Sequence, residues 1–117
     1  MEIDMKRLNA ILIACLWVVP CLAKTITVDD NGPADFQSIQ AAINGSWHGD
    51  TIIVKSGTYA EKVVFHGRRV TLRSENPDDP AVVQATVIAG GTESSVLFDS
   101  SESADSVLTG FTITGYG

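Results

Sequence analysis

Apolar side chains fall along this chain in three different rhythms. From Leu8 to Ala23 they are almost uninterrupted. Around residues 36–43 they recur at helical spacing, with Phe36, Ile39 and Ile43 at i, i+3 and i+7 and Ala42 beside them. Beyond Gly49-Asp50 they come in short runs rich in Val, Ile and Thr, each followed by Gly, Asn, Asp or Ser. The first rhythm predicts an export segment, the second a short amphipathic helix and the third a series of short strands.

Lys24-Thr25-Ile26-Thr27-Val28 alternates polar and apolar as a first strand does, and Asp29-Asp30-Asn31-Gly32-Pro33 is turn chemistry. The helix is expected from Asp35, as its N-cap, to Asn44, with Asn44-Gly45 as a left-handed stop. At about nine residues it is too short to be stable alone and must lie against something. Strands are then expected at Thr51-Ile52-Ile53-Val54, Val63-Val64-Phe65, Val70-Thr71-Leu72, Val82-Val83, Val87-Ile88, Val96-Leu97-Phe98, Val107-Leu108 and Phe111-Thr112-Ile113. No Asn-Gly or Asp-Gly hairpin joins neighbours among them, which speaks against a meander or sandwich. Phe65, Val87 and Leu108 are 22 and 21 residues apart, and Leu72 and Val96 are 24 apart. A quasi-period near 22 points to a β-solenoid, with some other small β domain as the alternative.

Composition changes the picture mainly at the N-terminus. Lys6 and Arg7 form a basic n-region, Leu8 to Val19 an apolar h-region, and Cys21-Leu22-Ala23 places small residues where a signal peptidase reads. The alternative of a membrane anchor is disfavoured, because the apolar stretch is shorter than the ~20 residues needed to span a bilayer. A lipoprotein signal around Leu12-Ile13-Ala14-Cys15 would leave Leu16-Trp17-Val18-Val19 where a polar tether is expected. The expected product is secreted, extracellular or periplasmic, with no stable membrane anchor after cleavage. Cys15 and Cys21 both lie in the signal, so the mature chain has no disulfide, catalytic thiolate or metal thiolate. Within the signal Glu2 and Asp4 balance Lys6 and Arg7, so the mature chain keeps the net charge of −6. Such a surface repels phosphate backbones and excludes nucleic acid as the expected partner.

Three blocks carry a resemblance. Asp35-Phe36-Gln37-Ser38-Ile39-Gln40-Ala41-Ala42-Ile43-Asn44, Gly49-Asp50-Thr51-Ile52-Ile53-Val54 and Ser56-Gly57-Thr58-Tyr59-Ala60-Glu61 together resemble the opening of the pectin-lyase-like superfamily. Val70-Thr71-Leu72-Arg73-Ser74 and Leu108-Thr109-Gly110-Phe111-Thr112-Ile113-Thr114-Gly115 look like its rungs. The resemblance implies an all-β, right-handed parallel β-helix whose first coil is covered by the short helix. It implies a signal at 1–23, a strand and capping helix at 24–50 and first coils at 51–117. Ile52, Val54, Phe65, Leu72, Val87, Leu97 and Ile113 are the expected inward positions, and Gly57 and Gly67 the turns between sheets. Enzymes of the superfamily place catalytic Asp, Arg or Lys, and sometimes Ca²⁺, on later coils. The chain ends at Gly117 inside a rung motif and reads as the N-terminal part of a longer protein. No catalytic, cofactor or metal residue is carried onto it. Two functions are open: action on extracellular polysaccharide as a lyase, hydrolase or esterase, or non-catalytic binding of glycans or proteins.

Individual residues add candidate chemistry beside plainer roles. Asp29, Asp30, Asn31 and Asp35 offer oxygens to Ca²⁺ but lack EF-hand spacing, and turn and cap use explains them. Asp78-Asp79, between prolines, reads as a solvated loop. His48 and His66 are isolated, and Asp50 and Glu61 bracket Gly57-Thr58-Tyr59 as a potential carboxylate pair or as structural members of the opening motif. Arg68, Arg69 and Arg73 form the one basic cluster and suit the carboxylates of an acidic polysaccharide, or are surface arginines. Trp47 and Tyr59 are candidates for sugar stacking or for packing beside the cap. Asn44-Gly45-Ser46 matches a glycosylation sequon.

Overall fold

The computed structural model describes residues 23–91, 95–98 and 106–115, so the expected signal lies outside the described residues except for Ala23. Among the described residues nine strands and two short helices follow one another: β1 (Thr25–Val28), α1 (Ile39–Asn44), β2 (Thr51–Val54), β3 (Gly57–Tyr59), β4 (Val63–Val64), β5 (Thr71–Ser74), α2 (Pro80–Ala85), β6 (Thr86–Ala89), β7 (Val96–Leu97), β8 (Val107–Thr109) and β9 (Thr112–Thr114). They build three sheets, ordered β1-β2-β5-β8, β3-β6-β9 and β4-β7, and every pairing is parallel. The chain visits the sheets in a fixed order: β2, β3, β4, then β5, β6, β7, then β8, β9. Each round therefore lies against the one before.

Register explains the core. Ile26, Ile52, Leu72 and Leu108 align across the first sheet, Tyr59, Ile88 and Ile113 across the second, and Val63 and Val96 across the third. Ile26, Ile52, Leu72, Tyr59, Ile88 and Val63 are buried, with Phe65 and Val70 beside them, while the intervening strand positions are more exposed. In the Val28, Val54, Ser74 row the third member is small because Gly110, at φ +85, crosses close to the Ser74 hydroxyl, which is buried without a hydrogen-bond partner.

Several expectations need correction. The period near 22 is not the repeat. Aligned residues are 26, 20 and 36 apart in the first sheet and 29 and 25 apart in the second, and Phe65, Val87 and Leu108 belong to different sides. Val82-Val83 is helical, because Asp79 accepts from the Ala81 N–H at 3.0 Å as an N-cap and Pro80 opens the first turn. Asp79 is thus a cap rather than plain loop. Gly57-Thr58-Tyr59 forms a strand, β3. Val87 pairs with Thr58 and Leu97 with Val64, which puts both on the outward side; Ile88 and Val96 face in. Ile113 continues the inward row but is 47% exposed, since no described residue lies over it.

The helix also starts later than expected. Asp35 accepts from the Thr27 N–H at 3.0 Å and the Phe36 N–H donates to the Thr27 carbonyl at 3.1 Å, so both residues edge β1. Ser38 takes over as N-cap, its hydroxyl accepting from the Ala41 N–H at 3.0 Å. Gly45 is not left-handed, with φ −90; its need is space, because a Cβ there would stand 2.8 Å from the Phe36 ring. Gly67, expected at a turn, does occupy one, with φ +75.

Two side chains fasten α1 to the stack. The Glu61 carboxylate accepts from the Ile39 and Gln40 N–H groups at 2.9 Å each, satisfying donors that every helix start leaves open. The Gln40 amide lies on Val64 like a further strand, accepting from its N–H at 2.7 Å and donating to its carbonyl at 2.9 Å. Ile39, Ala42 and Ile43 are then buried in the shared core.

Candidate functional site

The segment after α1 gathers chemistry because Asp50 folds it back. One Asp50 oxygen accepts from the Trp47 N–H at 2.8 Å, the other from the Lys24 N–H at 3.1 Å, and the Asp50 N–H donates to the Trp47 carbonyl at 3.1 Å. This clamps a turn over Trp47–Asp50. The turn is sewn to the approach of β5: the Gly49 N–H donates to the Arg69 carbonyl at 2.8 Å, and the Arg69 N–H to His48 Nδ1 at 3.2 Å. Residues about twenty positions apart thereby meet on one flank.

The Trp47 side chain is 63% exposed. The Arg68 guanidinium sits 5.2 Å from its ring centroid and donates to the Ser46 carbonyl at 2.6 Å, and the His48 ring lies 5.2 Å away on a tilt of 42°. His48, Gly49, Asp50, Arg69 and Thr71 line an open cleft of about 410 Å³. Among the described residues no carboxylate pairs with Arg68 or Arg69, and the Arg69 guanidinium has no partner. In a chain of net charge −6, this flank offers unsatisfied cationic donors beside an open aromatic face.

The other candidates lie elsewhere. Arg73 turns its guanidinium onto the Ser74 and Glu75 carbonyls. Asp50 and Glu61 do not meet; each binds backbone N–H groups. Asp29 accepts from the Asn31 N–H and Asp35 serves Thr27, and no cluster of acids and histidines suited to a metal occurs among the described residues. His66 occupies the turn before Gly67, at φ +54. Asn44 is exposed with its oxygen accepting from Gln40, and Ser46 of the sequon is buried on the Ile43 carbonyl. No helix among the described residues is long and apolar enough to cross a membrane. Ser46 and Thr71 carry no sequence signal for this flank; only the register of successive rounds brings them there.

Tyr59 is a core residue, 2% exposed, whose hydroxyl donates to the Lys55 carbonyl at 2.8 Å. Burial, and next the charge of Asp30, push its phenol up to about 12 from an ordinary 10.0. The unfolded chain releases this proton first as pH rises, so stability falls between about pH 10 and 12. Urea midpoints should decline across that window, and the part of the decline due to Tyr59 should be missing from Tyr59→Phe. An equal decline in that variant would show that other groups are responsible.

No family model, curated protein or solved structure matches this chain.

Proposed function

We propose that the chain is the opening of a secreted right-handed parallel β-helix protein, and that its Trp47–Arg69 flank binds an extracellular acidic polysaccharide. Three parallel sheets visited in constant order, with a helix laid on the first round, support the fold reading. The observation that carries the binding reading is an exposed indole beside two arginines that, among the described residues, meet no carboxylate. Sugar rings stack on such an aromatic face, and guanidinium groups take carboxylates with paired hydrogen bonds. Binding fits this flank better than turnover does. The carboxylate lining the cleft, Asp50, has both oxygens engaged by N–H groups and is 3% exposed, so it is spent on holding the turn.

Affinity electrophoresis of the full chain through gels containing a uronic-acid polysaccharide or a neutral glucan tests this reading. Retardation is expected only in the acidic gel. Arg69→Ala should weaken it by about tenfold or more, since a hydrogen bond to a charged group contributes about 1.5–3 kcal/mol. Equal retardation in both gels, or an unaffected Arg69→Ala, would remove the proposal.

A further inference from the structure

Asp50 poses an electrostatic problem that the described residues leave open. Its side chain is 3% exposed and lies at the head of β2, yet it meets only neutral donors, the N–H groups of Lys24 and Trp47. Arg69 lines the same cleft without pairing with it. A carboxylate withdrawn from water is ordinarily matched by a cation, because hydrogen bonds from neutral groups replace only part of its hydration.

The nitrogen at Lys24 stands where that cation would belong. Lys24 follows Cys21-Leu22-Ala23, the small-residue end of the export signal, and both Ala23 and Lys24 are exposed. We infer that removal of the leader after Ala23 turns the Lys24 nitrogen into an α-ammonium group that pairs with Asp50 and fixes the Trp47–Asp50 turn. The inference rests on the export reading above. Hydrolysis by a signal peptidase adds water across the Ala23–Lys24 peptide bond. The leader departs with a carboxylate on Ala23, and the Lys24 nitrogen becomes a primary amine that takes up a proton.

No rearrangement is needed. The nitrogen is already 3.1 Å from one Asp50 oxygen, and the Lys24 carbonyl is held by the Thr51 N–H at 3.0 Å, so the new terminus is anchored by the β1–β2 pairing. The change replaces a neutral donor to the carboxylate with a cationic one and supplies two further protons. Asp50 holds the amide of Trp47, so the pair also steadies the turn that carries Trp47 and His48. Maturation and completion of the binding flank become one event.

The test uses the full chain secreted under its own leader. N-terminal sequencing of the product should begin at Lys24. Inserting one glycine between Ala23 and Lys24 leaves an amide at Lys24 and carries the ammonium one residue away. This insertion should lower Tm by about 4 °C or more, the size expected for losing a buried charge pair in a domain of this length. In the Asp50→Asn background it should make no difference. Acylation of the α-amine, read by mass spectrometry of the N-terminal peptide, should be several-fold slower in the wild-type product than in the insertion product. That comparison stands even where Asp50→Asn does not fold. A product that keeps its leader, or starts elsewhere, overturns the export reading together with the inference. A product starting at Lys24 whose glycine insertion costs as much in Asp50→Asn, or whose amines label equally fast, overturns the pairing alone.

Discussion

Phe65→Ala is expected to lose about 3–5 kcal/mol of stability, the usual cost of emptying a buried aromatic site. Among the described residues Phe65 is the largest fully buried side chain, with no exposure at all. Its N–H donates to the Leu97 carbonyl at 3.1 Å, and its ring stacks on Phe98 with centroids 4.4 Å apart. One side chain thus fills the first complete round and forms the seat for the next. Small domains hold only about 5–15 kcal/mol in total, so the variant should unfold at a small fraction of the wild-type urea midpoint. Phe65→Leu should recover roughly half of the loss, because it restores volume without the ring pair. A midpoint in Phe65→Ala close to wild type would mean that the ring does not fill the core as described.

Glu61→Ala should cost about 2–3 kcal/mol. Its carboxylate is the shared acceptor for two amides at the start of α1, and removing it strands both where other protein atoms restrict water. A helix of six residues has little stability of its own, so losing this anchor should loosen the whole lid. Glu61→Gln keeps one good acceptor oxygen and should fall between. The decisive measurement is a double-mutant cycle with Gln40→Ala. Both residues secure α1 to the same coil, so the second substitution should cost clearly less once the first is present. Strict additivity would mean that the two contacts act on separate elements.

Much of this architecture was legible in the residues. Alternation in Thr25-Ile26-Thr27-Val28 and the apolar run of β2 located those strands, and the spacing of Ile39, Ala42 and Ile43 located the buried helix face. The failures have physical causes. The detour through α2 and the unequal connections make each round a different length, so distances between apolar residues do not report the repeat. Val82-Val83 carried strand propensity, but Asp79-Pro80 before it set the chain into a helical turn, and helix capping overrode β-branching. Between Val87 and Ile88 the pattern alone does not fix which faces in, because in a run of alternating depth a shift of one residue decides the face. Of the site, Trp47 and the Arg68-Arg69 pair were visible as types. Their meeting was not, because it depends on Asp50 bending the turn and on Arg69 being sewn to His48. For Tyr59 the sequence leaves sugar stacking and packing open, and its place in β3 and its bond to Lys55 make it core.

The asymmetry between the two ends of the stack bears on how the molecule can be made. A ribosome releases β1, α1 and β2 before the later strands. These elements carry most of their own closure: Asp35 and Phe36 occupy the outer hydrogen-bonding groups of Thr27, and α1 covers the apolar interior as soon as Glu61 and Val64 arrive to hold it. Apart from β3 and β4, which open their sheets, each later strand finds a sheet partner already in place, one round earlier. Assembly can therefore run in the order of synthesis, with each arriving round templated by the last and no wait for a distant segment. The side that stays sticky is always the side still being extended, so a pause in translation would be the moment of greatest exposure to misassociation.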